Sequence, residues 1–194
     1  LAVKELRANG HRRLALAMPY PFRCTDVRRL AFCSLMEEVY GDRMKDYYIG
    51  IHREDLAGDS RILAFLEEEE PENGMRLLEE DFFGKGELAA QLFVERKIDA
   101  TAVVAFNDEF ALGMCKRFHA LGIRVPRDIS LIGIDGSSAR KYQDPCLTSV
   151  GLFPEKQGAK CVNVLLDMLE GKKVKYISGS PVKLVKGESV KKLD

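Results

Sequence analysis

Two places in the chain set short polar side chains directly after an apolar run. "TAVVAF" (101–106) leads into Asn107–Asp108, and "ISLIGI" (129–134) ends on Asp135, followed at once by Gly136. A third segment, "PYPFRCTDVRR" (19–29), follows "RRLALAM" (12–18) and carries Arg23, Thr25 and Arg29. If the apolar runs are strands of one parallel sheet, their carboxyl ends share an edge, which is where open α/β sheets bind ligands. The chemistry of such a set is recognition of a small polyhydroxylated or polar-ring molecule. A carboxylate accepts from hydroxyls, a guanidinium donates as a fork, and an amide does both. Each residue alone has a plain structural reading as well. Asn107 is a good helix N-cap, with Asp108 and Glu109 complementing the helix dipole. Asp135–Gly136 fits an ordinary turn, and Arg29 fits a surface pair with Asp26 or Glu38. Convergence, more than any single residue, carries the functional reading.

Other chemistries find less support. "GKGELA" (84–89) fits G-x-G-x-x-A, in which glycines bring backbone close to a pyrophosphate at a helix N-terminus. Asp108 even lies about 20 residues on, as a dinucleotide site expects. The preceding run "MRLLEEDF" (75–82) contains Glu79, Glu80 and Asp81, however, whereas the first strand of such a unit is buried on both faces. A Gly-rich turn into a helix is the simpler reading. There is no G-x-S-x-G elbow and no HExxH. His11, His52 and His119 share no metal-ligand spacing. The five cysteines (24, 33, 115, 146, 161) are scattered without CxxC, so reduced thiols in a cytoplasmic protein are expected, with no disulfide or zinc framework. No catalysis, no metal and no cofactor are expected.

The elements that would position these groups alternate strand and helix. Helices are expected over 1–10, 26–40, 59–70, 86–97, 107–122 and 154–170, and strands over 12–18, 46–52, 75–82, 100–106, 129–134 and 146–152. Shorter strand candidates lie near 174–177 and 182–185. In the helix at 26–40, Leu30, Cys33 and either Leu35 or Val39 are expected on the buried face. Strands separated by such helices imply an α/β fold with a parallel, doubly wound sheet. With 194 residues, 46% of them hydrophobic, the chain can bury a real core. Thirty basic and thirty acidic residues balance, so the chain lacks the basic footprint of a nucleic-acid-binding domain. No apolar run reaches the length of a membrane span, and nothing reads as a signal peptide. Leu1 already stands in a helix-like stretch, so a piece of a longer chain is expected.

The segment "TAVVAFNDEFALGMCKRFHALGIRVPRDISLIGIDGSSARKYQDPCLTSV" (101–150), with "ANGHRRLALAM" before it and "LVKGESV" after, resembles the effector-binding core of the lactose/galactose-repressor (LacI/GalR) family of bacterial transcription regulators. The likeness runs over nearly all of 1–190 and rests on several motifs in order. It implies a type I periplasmic-binding-protein-like fold, in which two α/β subdomains close over a sugar, a sugar phosphate or a purine. DNA would be bound through a separate N-terminal domain, and the regulator would be a homodimer, as palindromic operators require. The stretch "AFCSLMEEVY" (31–40) and the helix Phe110–Leu121 are candidate dimer faces, although most of their apolar residues are expected in the core. By the resemblance, 1–152 form the C-terminal effector-binding subdomain, while 153–194 cross to a first subdomain whose remainder this chain does not supply. The family's ligand arginine falls on Arg29 of "RLAFC", polar loop contacts fall on Arg23 and Thr25, and the ring at the cleft falls on Phe82. The ligand amide falls on Asn107 and the ligand carboxylate on Asp135. Three departures stand out: Phe32 where a glycine is usual, Gly136 in place of a second acid or amide, and Gly187 in place of an arginine. The same fold serves extracytoplasmic sugar-binding proteins of transport and chemotaxis, which is the alternative expectation.

Overall fold

In the computed structural model, which describes residues 1–19, 26–51, 81–175, 179 and 181–193, the apolar runs become strands of one sheet. They are β1 (Leu14–Met18), β2 (Tyr48–Gly50), β3 (Ala102–Ala105), β4 (Ser130–Asp135), β5 (Thr148–Gly151) and β6 (Lys183–Val185). Their order is β2-β1-β3-β4-β5-β6. The first five run parallel, and β6 closes the edge antiparallel to β5. The strands ending near Met18, Phe106 and Ile134 are therefore neighbours, as expected, and β2 joins them on the far side of β1. Strands β1, β2, β3 and β5 are buried along their whole length, because a parallel sheet is covered on both faces. The expected helix at 59–70 lies outside the described residues, as does the expected strand at 75–82 up to its last two residues.

The helices follow from caps and from which side chains reach the sheet. Helix α1 (Ala2–Ala8) buries Ala2, Val3 and Leu6. Helix α2 (Val27–Tyr40) starts at Asp26, whose carboxylate accepts from the Arg28 amide at 2.8 Å. Its buried face is Phe32, Met36 and Tyr40, spaced by four; of the expected residues Cys33 is partly buried against the core, whereas Leu30, Leu35 and Val39 are exposed. Tyr40 fixes this phase, because its hydroxyl donates to the Leu14 carbonyl at 2.8 Å and accepts from the Leu14 amide. Crossing from β1 to β2 runs opposite to crossing from β3 to β4. Right-handed connections therefore put α2 on one face and α4 (Asp108–Ala120) on the other.

Helix α3 (Phe82–Glu95) pairs with α4. It begins at Phe82, not at Gly86, because Asp81 caps it by accepting from the Gly84 amide at 2.7 Å. Gly84 and Gly86 are thus helical, which removes the strand-to-helix turn that a dinucleotide fingerprint needs. Gly86 serves packing instead: a Cβ there would lie 2.0 Å from the Phe110 carbonyl oxygen, and one at Gly113 would lie 2.0 Å from that of Phe83. Phe110, Met114 and Phe118 of α4 are wholly buried, so that side of the helix belongs to the core and not to a dimer face.

The chain end is tied back to the sheet, so residues 183–193 belong to this body and not, as expected, to a first subdomain. The Ser189 hydroxyl donates to the Leu131 carbonyl at 2.6 Å and accepts from the Thr148 amide at 2.8 Å. Buried His11 bonds the Lys191 carbonyl at 3.1 Å and the Thr101 hydroxyl at 2.9 Å. Helix α5 (Pro154–Leu169) differs from the rest: none of its residues is buried, and Val162, Leu165, Leu166, Met168 and Leu169 are exposed.

Candidate ligand-binding site

Strand β4 delivers Asp135 to the carboxyl edge in an uncommon backbone conformation, φ +118°, followed by Gly136 at φ +73°. Such strain persists where surrounding structure enforces it and gathers at functional sites. Here the enforcement is visible: the Asp135 carbonyl accepts from the Leu152 amide at 2.9 Å, and the Gly136 amide donates to the Ser149 hydroxyl at 3.0 Å. Gly136 is required twice over, by its φ and because a Cβ would stand 2.6 Å from the Gly151 Cα. The Asp135 carboxyl is pushed up to about 6, chiefly by burial and then by the Asp108 carboxylate, against the opposing pull of the Arg28 guanidinium. Beside it a groove of about 690 Å³ opens between the loop after β4 and the start of α5, lined by Ser137, Ser138, Lys141, Leu152 and Phe153 among others.

On the β3 side an aromatic and cationic platform forms. The Phe106 ring meets the Phe82 ring at 5.3 Å between centroids, with a tilt of 34°. The Arg28 guanidinium lies 3.6 Å from the Phe106 ring centroid and donates to the Phe106 carbonyl at 3.3 Å. Asp26 holds that guanidinium with two bonds, Nε to Oδ1 at 3.0 Å and Nη2 to Oδ2 at 2.8 Å. Asn107, next along, accepts from the Phe110 amide at 2.8 Å and so caps α4. Asp108 is fully buried: it accepts from the Ser137 amide at 2.6 Å and from the Ser149 hydroxyl. Burial raises its carboxyl above the ordinary range, and these hydrogen bonds oppose that rise. Asp108 therefore braces the loop after β4. Being wholly inside the protein, it cannot be the ribose-binding acid of a dinucleotide site.

Comparison with known proteins gives the family of this fold. The family described as "Periplasmic binding protein-like domain" matches residues 3–190. A transcriptional repressor PurR of Vibrio parahaemolyticus is 33% identical over 153 residues, covering 74% of this chain and 45% of its own. The transcriptional regulator reg1 of Streptomyces lividans is 30% identical over 171 residues, or 88% of this chain and 43% of its own. The chain belongs to the LacI/GalR family, as its effector-binding core. A solved sugar-binding regulator of that family from Escherichia coli, complexed with phosphate, superposes with a TM-score of 0.72 at 22% identity, covering 99% of this chain and 59% of that one. This chain spans less than half the length of the two curated relatives.

Within this LacI/GalR core the expected positions divide. Asp135, Asn107 and Phe82 come to one edge of the sheet. Arg23 and Thr25 lie outside the described residues. Arg29 is half-buried with its Nη1 3.9 Å from the Cys33 sulfur, while the guanidinium acting on Asp135 is that of Arg28. Phe32 is a core residue of α2, and the arginine one turn before it, on the same flank, is Arg28. Arg28 and Phe106 were missed from the sequence. The available signal was the i, i+4 spacing from Arg28 to Phe32, in phase with Met36 and Tyr40.

Proposed function

We propose that this chain is the ligand-sensing part of a bacterial transcription regulator, binding a small polar effector at the carboxyl edge of its sheet and catalysing nothing. The observation that carries the reading is the meeting of strained Asp135 with Arg28, Phe106, Phe82 and Asn107 at one edge. Asp135 accepts from ligand hydroxyls, Arg28 donates from across the site, and the Phe82 ring covers an apolar face of the ligand. Residues 1–152 act as the effector-binding subdomain. Helix α5 crosses to a first subdomain that supplies the opposite wall, the tail from 183 returns to the sheet of residues 1–152, and a separate domain of the longer protein reads DNA as a homodimer in the cytoplasm. The curated relatives, a repressor and a transcriptional regulator, favour this over an extracytoplasmic transport protein of the same fold. Among the described residues no helix is long and apolar enough to cross a membrane.

Calorimetry of the full-length regulator against sugars, sugar phosphates and purines tests the site. Losing one partner of a buried charge-assisted hydrogen bond costs a few kcal/mol, so Asp135→Ala and Arg28→Ala should each weaken binding by roughly two orders of magnitude. Thermal unfolding should remain cooperative in both variants. If both bind the effector as wild type does, the site lies elsewhere and Asp135 is only a turn residue.

A further inference from the structure

The loop that follows Asp135 is held from inside the protein by a carboxylate that no effector touches. Asp108 stands in the first turn of α4, fully buried, and both of its oxygens accept hydrogen bonds. Oδ2 takes the Ser137 amide at 2.6 Å, and Oδ1 takes the Ser149 hydroxyl. That hydroxyl gives its one hydrogen to Asp108, so its oxygen is left as the acceptor for the Gly136 amide at 3.0 Å. The relay from Asp108 through Ser149 therefore fixes the two amides that come directly after Asp135. Strand β4 makes room for it. Ser149 pairs with Gly133 across the sheet, and a Cβ at Gly133 would lie 2.3 Å from Oδ1 of Asp108. A glycine inside a strand weakens it and marks a place where another group approaches closely. Here that group is the carboxylate.

Only an ionised carboxylate satisfies this set. An asparagine would turn its oxygen to one partner and its NH2 to the other. With the NH2 at Ser149, the serine hydrogen has no acceptor among the described residues; with the NH2 at Ser137, two donors meet. A donor left unmet in the interior destabilises whatever arrangement demands it. The same charge also acts on Asp135 through space. Among the described residues, the charged groups around Asp135 are Asp108 from α4, Arg28 from α2, itself paired with Asp26, and Arg140, Lys141 and Glu155 along the groove. After burial, it is the Asp108 carboxylate that pushes the Asp135 carboxyl up, against the pull of Arg28.

We infer that Asp108 controls effector binding without touching the effector: it is the positioning residue that holds Asp135 in place through Ser149 and the two amides, and its charge limits how far Asp135 remains an acceptor as pH falls. This rests on the ligand site proposed above, with Asp135 as the group that meets the effector.

Two substitutions in the full-length regulator separate the relay from the charge. Ser149→Ala cuts the relay and keeps the charge, whereas Asp108→Asn removes both. Binding is followed by calorimetry with the same panel of sugars, sugar phosphates and purines, between about pH 5 and about pH 8. At about pH 7.5 each variant should bind the panel member that the wild type binds at least about fivefold more weakly. The wild-type affinity should fall through a midpoint of about 6, and Ser149→Ala should keep that midpoint. Asp108→Asn should move it down by at least about half a pH unit, because a like charge has gone. A role confined to folding would lower the Tm and leave the midpoint alone. Carbon-13 NMR of aspartate-labelled regulator, with the Asp135 carboxyl assigned by its loss in Asp135→Asn, reads the same midpoint without a ligand. Wild-type affinity in Ser149→Ala, or an unmoved midpoint in Asp108→Asn, overturns the inference; if Asp135→Ala still loses binding, the site stands. Unchanged binding in Asp135→Ala overturns the site itself. If no panel member binds, the NMR midpoint decides, a downward shift in Asp108→Asn supporting the inference and no shift overturning it. If Asp108→Asn does not fold, Ser149→Ala decides: weakened binding with cooperative unfolding supports the inference, and wild-type binding overturns it.

Discussion

Asp135 shows how much one residue's setting decides. Its carboxyl is pushed from 3.8 to about 6 because burial and the Asp108 carboxylate disfavour its charge more than Arg28 favours it. The folded state therefore holds a proton on Asp135 at a pH where the unfolded chain has lost it. Ionised Asp135 costs stability at neutral pH, and that cost is relieved as pH falls through about 6 toward 3.8. Two measurable effects have opposite signs. Effector affinity, which needs the carboxylate, should fall between about pH 7.5 and about pH 5, approaching tenfold per unit below the folded pKa. Asp135→Asn should raise the Tm by a few degrees at about pH 7.5 and lose that advantage at about pH 4, while binding effector poorly throughout. An affinity flat across this range, or an asparagine variant that melts earlier at neutral pH, refutes the assignment. Asp135 was legible in the sequence because a buried apolar strand ending on a carboxylate and a glycine leaves few alternatives. The neighbouring arginines were not: adjacent helical positions differ by about 100°, and only the packed phase of Phe32, Met36 and Tyr40 selects Arg28.

Among the elements, the α3–α4 pair fixes the Asn107 and Phe82 ends of the site, since both helices begin there. Their closeness depends on two glycines facing each other's backbone. A Cβ at Gly113 would lie 2.0 Å from the Phe83 carbonyl oxygen, and backbone cannot yield as a flexible side chain can. Gly113→Ala should therefore destabilise the protein by about 3 kcal/mol or more, read as a lower urea midpoint at unchanged slope. Gly158→Ala in α5 is the matched control. No atom lies within 4 Å of its added methyl, so helix propensity should leave it neutral or stabilise it by about 0.5 to 1 kcal/mol. Equal effects at the two positions would mean that the helices separate freely. The five parallel strands were legible from their continuous apolar runs. The start of α3 was hidden, because "MRLLEEDF" reads as a strand until Asp81 is seen to cap the helix. The buried face of α2 was hidden too, because its exposed side carries Val27, Leu30, Leu35 and Val39 and is as apolar as its core side.

At the scale of the whole molecule, α5 is the element that the sheet does not explain. Apolar residues recur along one side of it, yet Leu165, Leu166 and Leu169 are 55%, 51% and 76% exposed. A helix face of that composition is stable in water only when something covers it. The longer protein proposed here supplies the cover, as the first subdomain onto which α5 crosses. Cys161 reports on this directly, since it lies on the same apolar side and is exposed, whereas Cys115 is buried in the core. In the 194-residue chain, a thiol reagent read by peptide mass spectrometry should label Cys161 at the rate of a free thiol and leave Cys115 unmodified until unfolding. In the full-length regulator, docking of α5 should slow labelling of Cys161 by at least about tenfold, because reagent then waits for local opening. Leu165→Asp should restore the fast rate in the longer protein by placing a charge in that interface. Equal labelling of Cys161 in the two proteins would leave α5 exposed in the intact regulator, and the assignment of α5 to a second body would fall.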